Sequence, residues 1–356
     1  MARKIVHVVG TGTIGEPLIG LLADYQVSLG IDEVTFHKNS PLSHERAKVR
    51  DLLGRGARLA VYEEAQEGFK NLGIDPDFEA EEAIQRASVV IDCTPKGVGH
   101  RNKLRYYNKF ADGKKGFLAQ GSEHGFGMKY ARNINDEALQ EKSDRRFVQI
   151  VSCNTHNIAA LTKTLGWRDG TDTLEEGRFV CIRRASDISQ TGSFVPAPEV
   201  GKHSNSEHGT HHARDAVELF KTIDYTPNLF SSAMRINSQY MHVLWFNIRL
   251  RETITLQQVV DRFNANPMVA LTERTTSSSV FSFGRDHGHY GRILNQTVVV
   301  VPTLTVHMGR EVVGYCFTPQ DGNSLLSSIA ATEFFIHPHS WKDKIQCLSH
   351  LFFDEV

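Results

Sequence analysis

Six residues, Gly10-Thr11-Gly12-Thr13-Ile14-Gly15, follow directly on the apolar run Ile5–Val9. Behind them, Leu18, Ile19, Leu21 and Leu22 fall on a segment that reads as a helix starting at Gly15. A strand that ends at glycine, turns through G-x-G-x-x-G and opens a helix is the first half of a βαβ unit. Glycine makes the tight turn, lets backbone approach a pyrophosphate, and allows the helix to pack closely on the strand. The helix N-terminus then offers N–H groups and positive dipole to phosphate. Gly10, Gly12, Thr13, Ile14 and Gly15 are therefore expected dinucleotide contacts, the alternative being a glycine-rich turn in a nucleotide-free α/β protein.

The rest of the first 150 residues supports that frame. Further strands are expected near 33–37, 58–62, 88–93, 116–119 and 147–151, alternating with helical stretches. The run at 88–93, Ser-Val-Val-Ile-Asp-Cys, is nearly continuous in apolar residues, as in a parallel strand covered on both faces. The fold expected is α/β: a Rossmann-type doubly wound nucleotide domain over 1–152, completed by a C-terminal segment at about 321–356. Beyond 170 the pattern changes to long β-rich runs (178–184, 241–250, 297–308, 311–317) with amphipathic helices such as 210–223. This predicts an α+β catalytic domain over 153–320 with a mixed or antiparallel sheet. Residues 200–209, rich in Ser, Asn, Gly and His, read as a surface loop.

At 356 residues the chain is too long for one small core. A net charge of −1 gives no polyanion-binding surface, so nucleic acid is not an expected partner. No apolar run nears the roughly 20 residues of a membrane span. The N-terminus passes straight into a strand, and the five cysteines show neither disulfide nor zinc spacing. A soluble cytoplasmic protein with reduced thiols and no metal is the expectation.

After the second strand, Glu33-Val34-Thr35-Phe36-His37, come Lys38-Asn39-Ser40. An NAD-only site usually carries an acid there, whereas a cation with small polar neighbours suits a 2′-phosphate. NADP, or both NADP and NAD, is favoured over NAD alone, with a merely solvated Lys38 as the alternative.

The run Arg146 to Ser152 leads a strand into Cys153, and a helix is expected over 155–165. A thiol at a helix N-terminus is stabilised as thiolate. Cys93, Cys181 and Cys316 lie in strand-like runs and read as inert core thiols. Position alone leaves Cys153 open between nucleophile and structural thiol.

Seven segments in order resemble one family: Gly12-Thr13-Ile14-Gly15, Asp92-Cys93-Thr94-Pro95-Lys96-Gly97-Val98-Gly99, Gln120-Gly121-Ser122-Glu123, Ser152-Cys153-Asn154-Thr155, Ile182-Arg183-Arg184-Ala185-Ser186-Asp187, His211-His212 before Asp215, and Met241-His242 ahead of Asn247-Ile248. Together they look like the archaeal-type (type II) glyceraldehyde-3-phosphate dehydrogenases over roughly residues 5–325. The resemblance implies Cys153 as nucleophile and His242 as base, although a lone His in an apolar strand is more often a core residue. It implies oxidation of glyceraldehyde 3-phosphate through a Cys153 thioester, hydride transfer to NAD(P), and cleavage by inorganic phosphate. Cys153 N–H and Asn154 would serve an oxyanion hole, and Ser152 would lie with Asn154 at the substrate. Arg183, Arg184, His211 and His212 are candidate anion binders. By the resemblance, Arg184, Gly121 and Gln320 also lie beside the cofactor and His212 beside the substrate. A homotetramer is implied too.

Three openings remain in the sequence. His156 stands where the family usually has a second Thr that helps hold phosphate; a histidine there could donate to an anion and titrates near neutral pH. Lys202-His203, His208 and His211-His212 could hold a metal, though a solvated loop suits His203 and His208 better. Another anionic aldehyde (erythrose 4-phosphate or a semialdehyde), or a non-catalytic cofactor sensor, would keep the same scaffold. The tail 336–356 has no family counterpart and is expected to pack on the nucleotide domain or at a subunit contact.

Overall fold

The computed structural model describes residues 3–110, 115–121, 123–141, 146–168, 170–186, 194–319 and 321–356. Gln320 and the motif positions Ser122 and Asp187 lie outside the described residues. The chain divides into two compact units, one of residues 1–130, 139–150 and 325–349, the other of 131–138, 151–324 and 350–356.

The first unit is an eight-stranded sheet. Its strands are β1 (Ile5–Val9), β2 (Glu33–His37), β3 (Arg58–Val61), β4 (Phe78–Glu79), β5 (Val89–Asp92), β6 (Gly116–Gln120), β7 (Met128–Tyr130) and β8 (Phe147–Ile150). They run in the order β4-β3-β2-β1-β5-β6-β8-β7, and every pairing is parallel. All five residues of β1 are buried, as are all four of β5, because helices cover both faces. This is the Rossmann-type α/β sheet, and the strand order turns back between β1 and β5, where such sheets bind ligands. The two strands that sequence reasoning missed, β4 and β7, hold two and three residues and form its edges.

The second unit contains β9 (Trp167–Arg168) paired with β10 (Thr171–Asp172), and a mixed sheet. Its strands are β11 (Leu174–Arg183), β12 (Glu199–Val200), β13 (Leu229–Arg235), β14 (His242–Leu250), β15 (Val269–Thr272), β16 (Thr297–Val300), β17 (Thr305–His307) and β18 (Glu311–Thr318). The order is β12-β13-β11-β14-β18-β16-β15, with β17 on β18. Along β14 burial alternates residue by residue, so one face meets a core and the other does not. That core includes Leu161, Phe179, Leu244, Phe246 and Phe263. The single run expected at 297–308 is two strands, because Pro302 cannot donate to a ladder and opens the turn Val301–Thr303.

The tail meets the expectation in part: residues up to 349 belong to the first unit, and 350–356 to the second. Trp341 is buried against Phe334 within the first unit. The last residues instead extend β15: Leu271 N–H donates to Asp354 O at 2.8 Å and Val356 N–H to Leu271 O at 2.9 Å. No described helix is long and apolar enough to cross a membrane.

Candidate active site

At the glycine turn the three glycines do three different things. Gly10 has φ +98°, a left-handed backbone that disfavours a side chain, and its N–H closes on His37 O at 3.0 Å. A Cβ on Gly15 would lie 2.0 Å from Gly10 O, so the helix Gly15–Asp24 can approach the turn only without one. A Cβ on Gly12 would meet nothing within 4 Å. The exposed backbone at Gly12 is thus open to an incoming group, and no side chain caps the helix that follows. These residues fit a dinucleotide. Gly121, with φ +40°, leaves the same carboxyl edge of the sheet and is held by Ile150 O and Gln149 Nε2.

The other shared motifs of this unit prove to be scaffolding. Asp92 accepts from Thr94 N–H, Asn102 Nδ2 and the Tyr107 hydroxyl. Glu123 accepts from Gly97 and His100 N–H and so caps the helix Val98–Arg105. Half-buried Cys93 has its thiol pushed well up by desolvation and by Asp92, which keeps it inert.

Lys38 is where the structure corrects the sequence. No acid follows β2 directly, yet the Lys38 ammonium is buried and ion-paired to Glu45. Burial opposes that charge on Glu45, but Lys38 and Lys48 together hold it below the usual carboxylate range. Lys38 is therefore neither a solvated lysine nor an unencumbered phosphate binder.

In the second unit, Cys153 is the first residue of the helix Cys153–Gly166. Ser152 is its N-cap: Thr155 N–H donates to Ser152 Oγ at 3.3 Å, and the two hydroxyls lie 2.9 Å apart. The expected substrate contact Ser152 thus has a structural duty. Thr155 also reaches His212 O at 3.5 Å, joining this helix start to that of His211–Phe220. On the other side, Asn157 Nδ2 donates to Thr318 Oγ1 at 2.5 Å, and Thr318 donates to Asn154 Oδ1 at 3.3 Å. Asn154 is buried, with the Nδ2 end of its amide left as donor. Thr318 pairs in register with His242 across β14 and β18, so the two sit side by side. Asn323, absent from the sequence reading, donates to both Cys153 O (3.2 Å) and Gln296 O (3.1 Å).

His242 is buried, and its Nδ1 accepts from Arg184 N–H at 3.0 Å. Burial first, then Arg184 and Arg183, hold it well below its usual value, so the ring is neutral. A neutral ring whose Nδ1 accepts carries its proton on Nε2. His212 is likewise neutral, through burial and then His211, Arg183 and His242. Neither of its ring nitrogens has a hydrogen-bond partner among the described residues, although it is only 3% exposed. His211 is exposed and packs against His212, ring centroids 3.9 Å apart and planes tilted by 42°.

The twin arginines divide. Arg183 is exposed, but Arg184 is buried and its guanidinium meets Asp321 at 3.3 Å. Arg184 is thus a structural cation rather than an open anion site. His156 is corrected more sharply. It is fully buried, bonds back to the carbonyls of Ser152 (3.0 Å) and Val151, and is lowered to about 4 by burial. It does not titrate near neutral pH, and its ring is engaged by backbone carbonyls. His203 and His208 make local bonds to Ser232 Oγ and Leu229 O.

No family model matches the chain. It is 27% identical to glyceraldehyde-3-phosphate dehydrogenase of Pyrobaculum islandicum over 315 residues, 85% of this chain and 83% of the relative. The enzyme of that name from Metallosphaera sedula is 28% identical over 320 residues, covering 86% and 85%. That from Methanobrevibacter smithii is 24% identical over 355 residues, covering 96% of each. The chain is therefore similar along most of its length to archaeal proteins of that name, and its parallel sheet with the glycine turn is of the dinucleotide-binding type.

Proposed function

We propose that this chain is a type II-like phosphorylating dehydrogenase that oxidises glyceraldehyde 3-phosphate to 1,3-bisphosphoglycerate through a thioester on Cys153. The observation that carries the reading is His212. Two buried ring nitrogens without partners cost free energy unless a ligand satisfies them. Arg183 is close enough to depress His212 electrostatically, so the orphaned nitrogens lie near a cation suited to an anionic substrate. When bound, the nicotinamide nucleotide supplies the two-electron acceptor.

The residues divide the work as follows. The N-terminus of the helix Cys153–Gly166 favours the thiolate, which adds to the aldehyde carbon while the carbonyl electrons move to oxygen. His242 Nε2–H and Asn154 Nδ2 donate to that oxygen as it gains charge. His242 thus acts first as a hydrogen-bond donor, not as the base the sequence implied. Arg183, His211 and His212 hold phosphoryl oxygens, and inorganic phosphate cleaves the thioester. His156, turned back on its own helix, takes no part in phosphate binding. A homotetramer is supported by the outward face of the mixed sheet, where Val180, Trp245 and Tyr315 lie in register.

Initial rates with glyceraldehyde 3-phosphate, with and without phosphate or arsenate, test the proposal. Oxidation that needs either anion supports it. Rates indifferent to both, or greater with a different anionic aldehyde, favour the related semialdehyde or erythrose 4-phosphate reading.

A further inference from the structure

In a dinucleotide-binding sheet the end of the second strand reads the adenosine ribose. A carboxylate there accepts the 2′-hydroxyl and repels a 2′-phosphate. The chain has Lys38 at this place, yet the fold supplies a carboxylate from further along. The turn Ser43–Glu45 brings Glu45 back onto Lys38, where one carboxylate oxygen accepts from the Lys38 ammonium. The other accepts from Lys48 at 3.0 Å. Lys48, in the helix Arg46–Gly54, also donates to Thr11 O of the glycine turn at 3.3 Å and meets Glu16 at 3.4 Å.

Two cations and two carboxylates therefore surround this corner, leaving no surplus positive charge for a dianion. The Lys38 side chain is only 8% exposed, and a 2′-phosphate could use it only by displacing Glu45. A 2′-hydroxyl needs no such exchange, because it donates to a carboxylate already held in place. A cavity of about 800 Å³ at the same carboxyl edge is lined by Asn39, Tyr62, Glu63, Glu79, Arg101 and Arg105 among others, with Glu64 and Glu81 adding to its acids. Its balance also favours the less charged nucleotide.

We infer that Glu45 is the residue that selects the coenzyme, reading the free 2′-hydroxyl, so that this chain prefers NAD over NADP. The inference rests on residues 10–15 being a dinucleotide turn. Calorimetric titration of the intact protein with NAD⁺ and, separately, NADP⁺ tests it without turnover. NAD⁺ is expected to bind roughly tenfold more tightly, as one carboxylate–hydroxyl bond against one charge repulsion implies. Glu45→Gln, nearly isosteric, releases both ammonium groups and is expected to move the ratio about tenfold toward NADP⁺. Lys38→Met should weaken NAD⁺, since Glu45 loses its anchor. Equal or tighter NADP⁺ binding by the unaltered protein, or a ratio unchanged in Glu45→Gln, overturns the assignment of Glu45 while leaving the dinucleotide turn intact. Binding of neither nucleotide overturns the turn itself, and this inference with it.

Discussion

The backbone N–H of Arg184 donates to His242 Nδ1 at 3.0 Å, and this contact sets which ring nitrogen carries the proton. With Nδ1 occupied, Nε2–H is a donor and the ring stays neutral beside two arginines. A donor and a base respond differently to substitution. His242→Gln keeps an amide N–H but cannot take a proton, so it is expected to retain more turnover than His242→Ala, which should lose about 10²–10³-fold in kcat. In addition, the acid limb of kcat/KM should show no group near 6.5 that disappears in His242→Gln. Equal loss in both variants would restore the role of base.

The glycine turn allows a paired test. Gly15→Ala places a methyl 2.0 Å from Gly10 O, a clash that only backbone movement relieves, so the melting temperature should fall by several degrees. Gly12→Ala meets nothing in the protein and should fold normally. Its methyl instead occupies the space where a pyrophosphate approaches, and NAD⁺ affinity measured by titration should drop at least about tenfold. Normal affinity in Gly12→Ala would mean that the turn does not face the nucleotide.

These sites differ in how legible they were, for physical reasons. The turn at 10–15 and the helix start at Cys153 are local, and their geometry follows from glycine, capping and apolar spacing over a few residues. His242 is not local. Its neighbours come from pairing β14 with β11 and β18, and no spacing in the chain encodes that register, so only resemblance pointed to it. Glu45 and Asp321 were missed because ion pairs across a turn, or between residues 137 apart in sequence, leave no periodic trace. His156 was misjudged because the sequence shows a polar residue near the candidate nucleophile Cys153 but not the direction of its ring.

His156 makes acid stability a readable quantity. Its ordinary value near 6.5 applies in the unfolded chain, while burial lowers it to about 4 in the native state. Between those limits the unfolded chain holds a proton that the native protein lacks, so stability present above pH 6.5 is lost as pH falls toward 4. The expected slope for this residue is about 1.4 kcal/mol per pH unit. Urea midpoints for the wild type and His156→Gln at pH 7, 6 and 5 isolate it, because the other buried histidines are common to both. The variant should lose less stability than the wild type on acidification, and parallel curves would show that His156 is charged or exposed.

Asn323 joins the first residue of the helix Cys153–Gly166 to the residue just before β16 through two carbonyls, Cys153 O and Gln296 O, and is itself fully buried. Replacing it with alanine leaves two buried acceptors without that donor, a loss of about 1–3 kcal/mol rather than the fraction expected for a surface change. The same bond fixes the first turn on which the thiol sits, so alkylation of Cys153 should also slow. Asn323→Asp separates the two effects: it keeps the shape but cannot donate when ionised, and should resemble Asn323→Ala in both stability and thiol reactivity. If Asn323→Ala unfolds at the wild-type midpoint with unchanged alkylation, the residue neither supports the fold nor positions Cys153.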